Sequence, residues 1–189
     1  MTKSLPKTIL VTLAAISFLT GCGESTQAPA APPAPPAISL LEAALKSNLE
    51  AVKGHIAAGT DLDMKDPNPQ GAQDTALGTA AAFGHLEVVK ALIDAGANLE
   101  VRNRNGSTPL HLATFLCYPE IVQALVDAGA DRTVKDNSGS TALDSVLLPW
   151  EAAKGIYGLL DGLIFKPLGA PLDYDRIQAA RPQVAQILQ

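Results

Sequence analysis

Residues 107–113 read STPLHLA, which sets a serine, a threonine and a histidine within five positions. His111 is either a base beside a hydroxyl nucleophile or a part of the scaffold, and the neighbouring sequence decides between them. Thr75-Ala76-Leu77, Thr108-Pro109-Leu110 and Thr141-Ala142-Leu143 follow one another at intervals of 33 residues. A second marker, Ala58-Gly59, Ala95-Gly96 and Ala128-Gly129, is spaced by 37 and then 33, and the extra four residues fall in the loop around DPNPQGAQD. Between the markers lie Val88, Val89, Leu92 and Ile93, then Ile121, Val122, Leu125 and Val126. Each set follows the spacing of one helix face. A period of this length marks stacked supersecondary units that bury their apolar faces on one another.

The period also settles the histidine. The position of His111 is Gly78 in the preceding unit and Asp144 in the following one, and Ser107 corresponds to Asp74 and Ser140. A catalytic triad needs a base, an orienting group and oxyanion donors around an exposed nucleophile. Local physics gives STPLHLA a simpler task. Thr108 suits a helix N-cap, where its hydroxyl accepts an orphan N–H. Pro109 suits the first helical position, where a missing N–H costs nothing. Gly96 and Gly129 end second helices in a left-handed conformation, and the small Ala80, Ala81 and Ala113 let first helices approach closely.

The segments GHLEVVKALIDAGANLE at 84–100, STPLHLA at 107–113 and PEIVQALVDAGADRTVKDNSGSTAL at 119–143 resemble the ankyrin repeat. The resemblance covers about residues 38–163. It implies an all-α fold: a solenoid of about four helix-pair repeats with hairpin loops, and a C-terminal capping segment over 164–189. It further implies that His111 links adjacent hairpin loops and that His85 belongs to a Gly-His turn between helices. Tyr118 stands in the corresponding turn, and Cys117 aligns with Gly84 as a half-buried, inert thiol. His55 is expected at the surface. In the fourth unit the stretch PWEAAKGIYGLLDGL aligns poorly, and Gly155, Gly158 and Gly162 weaken it as a helix. Ile177, Val184, Ile187 and Leu188 suit a capping helix that Pro182 breaks or restarts.

Ankyrin stacks bind proteins on a concave face made of loop tips and first helices. On this sequence the protein-binding candidates are Phe83, Phe115 and Leu116 from the first helices and Arg102, Arg104, Asn105, Lys135 and Asn137 from the loop tips, with Trp150 in a comparable place. The alternative is that Phe83, Phe115 and Leu116 pack against neighbouring helices and that Trp150 lies under the C-terminal segment. No catalytic residue, cofactor or metal site is expected. The three histidines come from different motif positions, and Asp61, Asp63, Asp66 and Asp74 lack a calcium-loop pattern. No basic patch suggests nucleic acid, and a small-molecule substrate and a self-associated state are not expected either.

The N-terminus carries a separate signal. Lys3 and Lys7 precede the apolar run ILVTLAAISFLT, which is shorter than the about 20 residues a membrane span requires. The run ends in Leu19-Thr20-Gly21-Cys22, which resembles the lipobox of bacterial lipoproteins. That likeness implies a signal peptide over 1–21 and a lipid-modified Cys22, with an Ala/Pro-rich linker over 22–37. At about 3.1 Å per residue the fifteen residues after Cys22 span roughly 45 Å. Loss of two lysines and no acid would take the net charge from −5 to −7. Gly23 in place of aspartate favours the outer membrane, facing the periplasm, under the family's sorting rule. The function these features imply is a non-catalytic, lipid-anchored interaction scaffold of the bacterial cell envelope, with an inhibitor or immunity factor as its narrower form. The alternatives are a structural envelope spacer or an accessory subunit of a periplasmic enzyme that uses Asp173, Asp175 and Arg176.

Overall fold

The computed structural model describes residues 33–69 and 71–189. The signal-peptide and Cys22 readings, with most of the linker, lie outside the described residues. Helix pairs recur along the chain: α1 (Leu40–Leu45) with α2 (Leu49–Ala57), α3 (Ala76–Phe83) with α4 (Leu86–Asp94), and α5 (Pro109–Phe115) with α6 (Pro119–Asp127). Then come α7 (Ala142–Leu147), α8 (Trp150–Leu160) running into a π-helical turn at Asp161–Phe165, and α9 (Tyr174–Leu188). The first helices form an inner row in the order α1, α3, α5, α7, and the second helices form an outer row in the order α2, α4, α6. This is an all-α solenoid of stacked helix pairs, the architecture that the resemblance implies.

The start of each inner helix is set by its cap. Ser39 Oγ accepts the Glu42 N–H at 3.1 Å, and Thr75 Oγ1 accepts that of Gly78 at 3.1 Å. Thr141 donates its N–H to Asp144 Oδ2 at 2.7 Å, and Thr108 donates its own to His111 Nδ1 at 3.2 Å. Aspartate and histidine are therefore equivalent at the third helical position, because both carry an acceptor that reaches back to the cap. Each pair then turns on a left-handed residue. Gly84 takes φ +76, and Ser47 and Cys117 adopt φ 55 and 54 at the matching positions. A Cβ on Gly84 would sit 2.5 Å from the Tyr118 ring, so glycine makes room for the next repeat's aromatic. Cys117 is fully buried rather than half-buried, and burial pushes its thiol pKa up, which keeps it protonated.

The fourth repeat departs from the expected boundaries. The helix that packs beside both α6 and α7 is α9, so the outer helix of repeat four is supplied by residues 174–188. Residues 148–173 are an insertion between the two halves of that repeat. Tyr174-Asp175-Arg176-Ile177 repeats the spacing of Tyr118-Pro119-Glu120-Ile121, and Ile177 and Ile121 are both buried. Pro182 does not break α9. Pro182 and Gln178, whose carbonyl loses its helical partner, are both exposed, so water can satisfy that carbonyl. Gly155 and Gly158 do not stop α8 from forming, although each costs a helix interior about 1 kcal/mol relative to alanine, and Gly162 falls in the π-helical turn that follows.

Two arginines of α9 close the C-terminal ends of the inner helices. Arg176 donates to the carbonyls of Cys117 at 2.7 Å and Leu116 at 3.2 Å, and its guanidinium lies 4.3 Å from the centre of the Tyr118 ring. Arg181, buried, donates to the carbonyls of Val146 and Leu148 at the end of α7. Helix ends leave carbonyls without intrahelical partners, and α9 supplies the missing donors. Arg176 therefore has a capping task, and Asp173 is the N-cap of α9, accepting the Arg176 N–H at 3.0 Å. Replacing Arg176 by alanine removes two charge-assisted hydrogen bonds and should cost about 2 kcal/mol in urea unfolding. Lysine, which cannot fork across two carbonyls, should recover less than half of that. A cost within about 0.5 kcal/mol of zero would show that α9 does not cap the stack.

Candidate functional site

The hairpin loops that precede the inner helices are built alike. Asn103 and Asp136 donate their N–H groups to the carbonyls of Ser107 and Ser140 at 2.9 Å, and Asp66 does so to Asp74 across a loop longer by four residues. Adjacent loops are also bonded to one another: Arg104 N–H to the Ala72 carbonyl at 2.9 Å and Asn137 N–H to the Asn105 carbonyl at 3.0 Å. Side chains add to this ladder. Arg102 donates to the carbonyls of Gly106 at 2.9 Å and Lys135 at 2.6 Å, and Arg104 donates to that of Pro69 at 2.9 Å. Asn137 Nδ2 donates to the Arg104 carbonyl at 3.0 Å. A Cβ on Gly106, at φ +76, would stand 2.4 Å from Asn137 Oδ1, so the ladder closes only over glycine here.

His111 belongs to this ladder. Its Nδ1 accepts the Thr108 N–H, so Nε2 carries the proton and points to the Ser140 carbonyl of the next loop at 3.3 Å. Thr108 Oγ1 lies 2.9 Å from Nδ1 but the residue is 1% exposed, which denies a substrate access to that hydroxyl. His85 Nε2 meets the Leu45 carbonyl at 2.9 Å and ties the second repeat to the first. His55 is not at the surface; it is 5% exposed, with Nδ1 3.1 Å from Thr60 Oγ1 and Nε2 2.7 Å from the Ile38 carbonyl. It fastens the incoming chain to the first repeat. Among the described residues no group of His, Cys, Asp and Glu is arranged to hold a metal ion.

The insertion returns across the inner row. Tyr157 donates its hydroxyl to the Phe115 carbonyl at 2.5 Å and packs at a tilt of 42° on the Phe115 ring, with centroids 4.8 Å apart. Phe165 packs against Phe83 at 5.1 Å. Between the loop ladder and this returning segment lies a groove of about 320 Å³. Phe83, Leu112, Phe115, Ile164 and Phe165 supply its apolar lining, and Asp74, Asn105 and Asp136 lie toward the loops. Of the residues expected to bind a partner, Phe83, Asn105, Phe115 and Leu116 meet in this groove. Leu116 is 3% exposed and serves as core. Arg102, Arg104, Lys135 and Asn137 stay on the exposed loop edge outside it, and Arg102, Arg104 and Asn137 have polar groups engaged by neighbouring loops. Trp150 is half-buried in the C-terminal packing, 6.0 Å from the Tyr157 ring and with the Arg181 guanidinium 5.9 Å from its own. The sequence reading missed Asp74 as a lining residue, although its alignment with Ser107 and Ser140 was in plain view. Ile164 and Phe165 had no such signal.

Asp74 is the electrostatic feature of the groove. Burial raises its carboxyl above the ordinary carboxylate range, opposed by the Asn103 amide, which donates to Oδ1 at 2.8 Å, and reinforced by the charge of Asp66.

Comparison with protein families matches residues 40–136 to ankyrin repeats, in three copies. None of the curated proteins compared with the chain matches it.

A raised carboxyl binds its proton more tightly in the folded chain than in the unfolded one. The contribution of Asp74 to stability is thus full below the unfolded pKa of about 3.9 and is lost as pH rises through the higher folded value. Asp74→Asn keeps an acceptor for Asn103 without the charge. Urea unfolding at pH 4 and pH 7 should show a smaller loss on raising the pH than in the parent chain, and a variant at least as stable as the parent at pH 7. A variant weaker at pH 7 would mean that the carboxylate stabilises the loop.

Proposed function

The chain belongs to the ankyrin-repeat family, a fold of protein-binding modules, and on that premise we propose a non-catalytic, lipid-anchored scaffold of the bacterial cell envelope that holds one partner protein in the groove of its concave side. The observation that carries this reading is the groove itself, apolar along α3, α5 and the returning segment and acidic along the loops. An extended partner segment that offers an apolar side chain to Phe83, Phe115 and Ile164, with a lysine or arginine beside it for Asp74 and Asp136, matches both halves. A cation there would also relieve the cost of ionising the half-buried Asp74. A net charge of −5 for the whole sequence, and of −7 once Lys3 and Lys7 are lost with the signal peptide, favours approach of a basic partner.

The lipobox-like LTGC and the Ala/Pro-rich linker support the anchored part of the reading. Acyl chains contribute about 0.8 kcal/mol for each buried CH₂, so two or more hold a protein stably. The spacer then keeps the groove clear of the bilayer surface. Among the described residues no helix is long and apolar enough to cross a membrane. Occupying a partner's exposed segment is also how an inhibitor or immunity factor works.

A photo-crosslinking residue at Asn105, in the groove, should capture one protein in intact cells, and the same residue at Gln123, on the outer row, should not. Ile164→Glu should weaken capture more than tenfold, because it sets a charge against the apolar anchor. Equal capture from both positions, or indifference to Ile164→Glu, would displace the partner from the groove. Cys22→Ser should move the protein from the membrane pellet to the soluble fraction. Retention in the pellet would remove the lipid anchor and leave the groove reading standing.

A further inference from the structure

One position of the inner helices changes along the groove. Repeats three and four carry His111 and Asp144 at the third helical position, and repeat two carries Gly78. Asp74 lies against the vacated place: a Cβ on Gly78 would stand 3.5 Å from Asp74 Oδ1 and 3.4 Å from Leu112 Cδ1. The carboxylate thus makes the tie to the next loop that His111 makes one repeat on, with Oδ1 accepting the Asn103 amide at 2.8 Å. Oδ2 accepts no hydrogen bond from the described residues, and none of their cations forms an ion pair with Asp74. Asp66 adds its own negative charge nearby. The other carboxylate of the groove is better supplied. Asp136 Oδ1 accepts the Ser138 N–H at 2.9 Å, the Ser138 hydroxyl at 2.6 Å and the Ser140 N–H at 3.1 Å. Each donor already stabilises the charge, so a cation gains more at Asp74 than at Asp136.

The cation that fits is an ammonium. A guanidinium binds a carboxylate best through two parallel N–H bonds, one to each oxygen, and Asn103 already holds Oδ1. Lysine is a point charge that needs one oxygen and can share its other protons with neutral acceptors. Asn105 and Ser107, whose N–H groups Asn103 Oδ1 accepts, line the same groove. Distance sets the rest of the ligand. Asp74 precedes α3 and Phe83 ends it, and this helix of 8 residues is about 12 Å long. Extended backbone advances about 7 Å in two residues, and the lysine stem covers the remainder. An apolar residue two positions from the lysine therefore falls on Phe83 and Phe115.

We infer that Asp74 is the specificity-determining residue of the groove: it takes one lysine side chain of the partner segment, in the room that Gly78 leaves. The inference rests on the groove reading and narrows it to a lysine and an apolar residue two positions apart.

The test titrates the full chain, in a Cys22→Ser background, with the peptide acetyl-Lys-Ala-Leu-Ala-Lys-amide, which offers that spacing in either chain direction. Binding is read from amide NMR shifts. Leu159 and Leu163 of the insertion are 63 and 68% exposed and offer a leucine another contact. Shifts at Asp74, Phe83 and Phe115 therefore report the groove, and shifts confined to Leu159 and Leu163 count against it. The groove amides should move with a Kd of about 1 mM. Asp74→Asn and Gly78→His should each weaken binding about tenfold, and Asp136→Asn less than about threefold. The arginine version of the peptide should bind about threefold more weakly, and the norleucine version, which has no charge, about tenfold. Groove amides that stay still at about 10 mM peptide overturn the proposal, as does equal binding of the norleucine peptide. So does a larger loss from Asp136→Asn than from Asp74→Asn. Octylamine binding more tightly than the peptide also overturns it, since the site would then serve a free amine. If any of these results stands while the Asn105 cross-linker still captures one protein, the groove reading survives and the lysine at Asp74 does not.

Discussion

A helix pair of this size cannot bury both of its sides alone, and the architecture follows from that constraint. Ala43, Ala44, Ala80, Ala81, Ala113 and Ala142 of the inner row are buried because a neighbouring unit covers them. Stacking brings backbones close enough for the loops to bond to one another, which is why the same positions carry donors and acceptors in every repeat. His111 is the clearest product. It is an acceptor toward its own helix cap and a donor to the next loop, two contacts that fix its tautomer and leave no proton acceptor for chemistry.

A stack has two ends, and each is closed by a different device. At the N-terminal end His55 holds the Ile38 carbonyl and Thr60. At the other end α9 completes the fourth repeat and brings Arg176 and Arg181 to the carbonyls of α5 and α7. The insertion between α7 and α9 is fastened at its far side by Asp161. That carboxylate accepts the Leu172 N–H at 2.8 Å and meets Lys166 at 3.1 Å. The Leu172 N–H, despite burial and aided by Lys166, holds it below the usual carboxylate range. Its contribution is therefore present at neutral pH and is lost only as pH falls through that lowered value. With this fastening in place the insertion lies over the inner row. It turns an open concave wall into a groove on one side and leaves an apolar face on the other.

The repeats were legible because a period is a global property: three copies of a motif report on one another, and a capping threonine is recognisable wherever it recurs. The fourth repeat was harder to read. Its outer helix lies beyond a long insertion, and the only trace is the tyrosine-to-isoleucine spacing shared by Tyr174–Ile177 and Tyr118–Ile121. The bonds that Arg102, Arg104 and Asn137 make to neighbouring loops were not legible, for a physical reason. Long polar side chains at a loop tip look free in sequence, but the neighbouring loop, 33 residues away, presents carbonyls at their reach. Leu116 looked like a surface residue because it sits next to the helix-ending turn, where the stacked arrangement leaves it inside. Ile164 and Phe165 reach the groove through a fold-back that no local pattern encodes.

The central claim is that α9, and not α8, is the outer helix of the last repeat. Native-state amide hydrogen exchange read residue by residue tests it directly, since cooperative units exchange together. The account predicts that the amides of α9 from Ile177 onward share the protection of α6 and α7, whereas those of α8 and the π-helical turn exchange sooner, through openings that leave the stack intact. Early exchange of α9, with α8 protected together with α6 and α7, would contradict it.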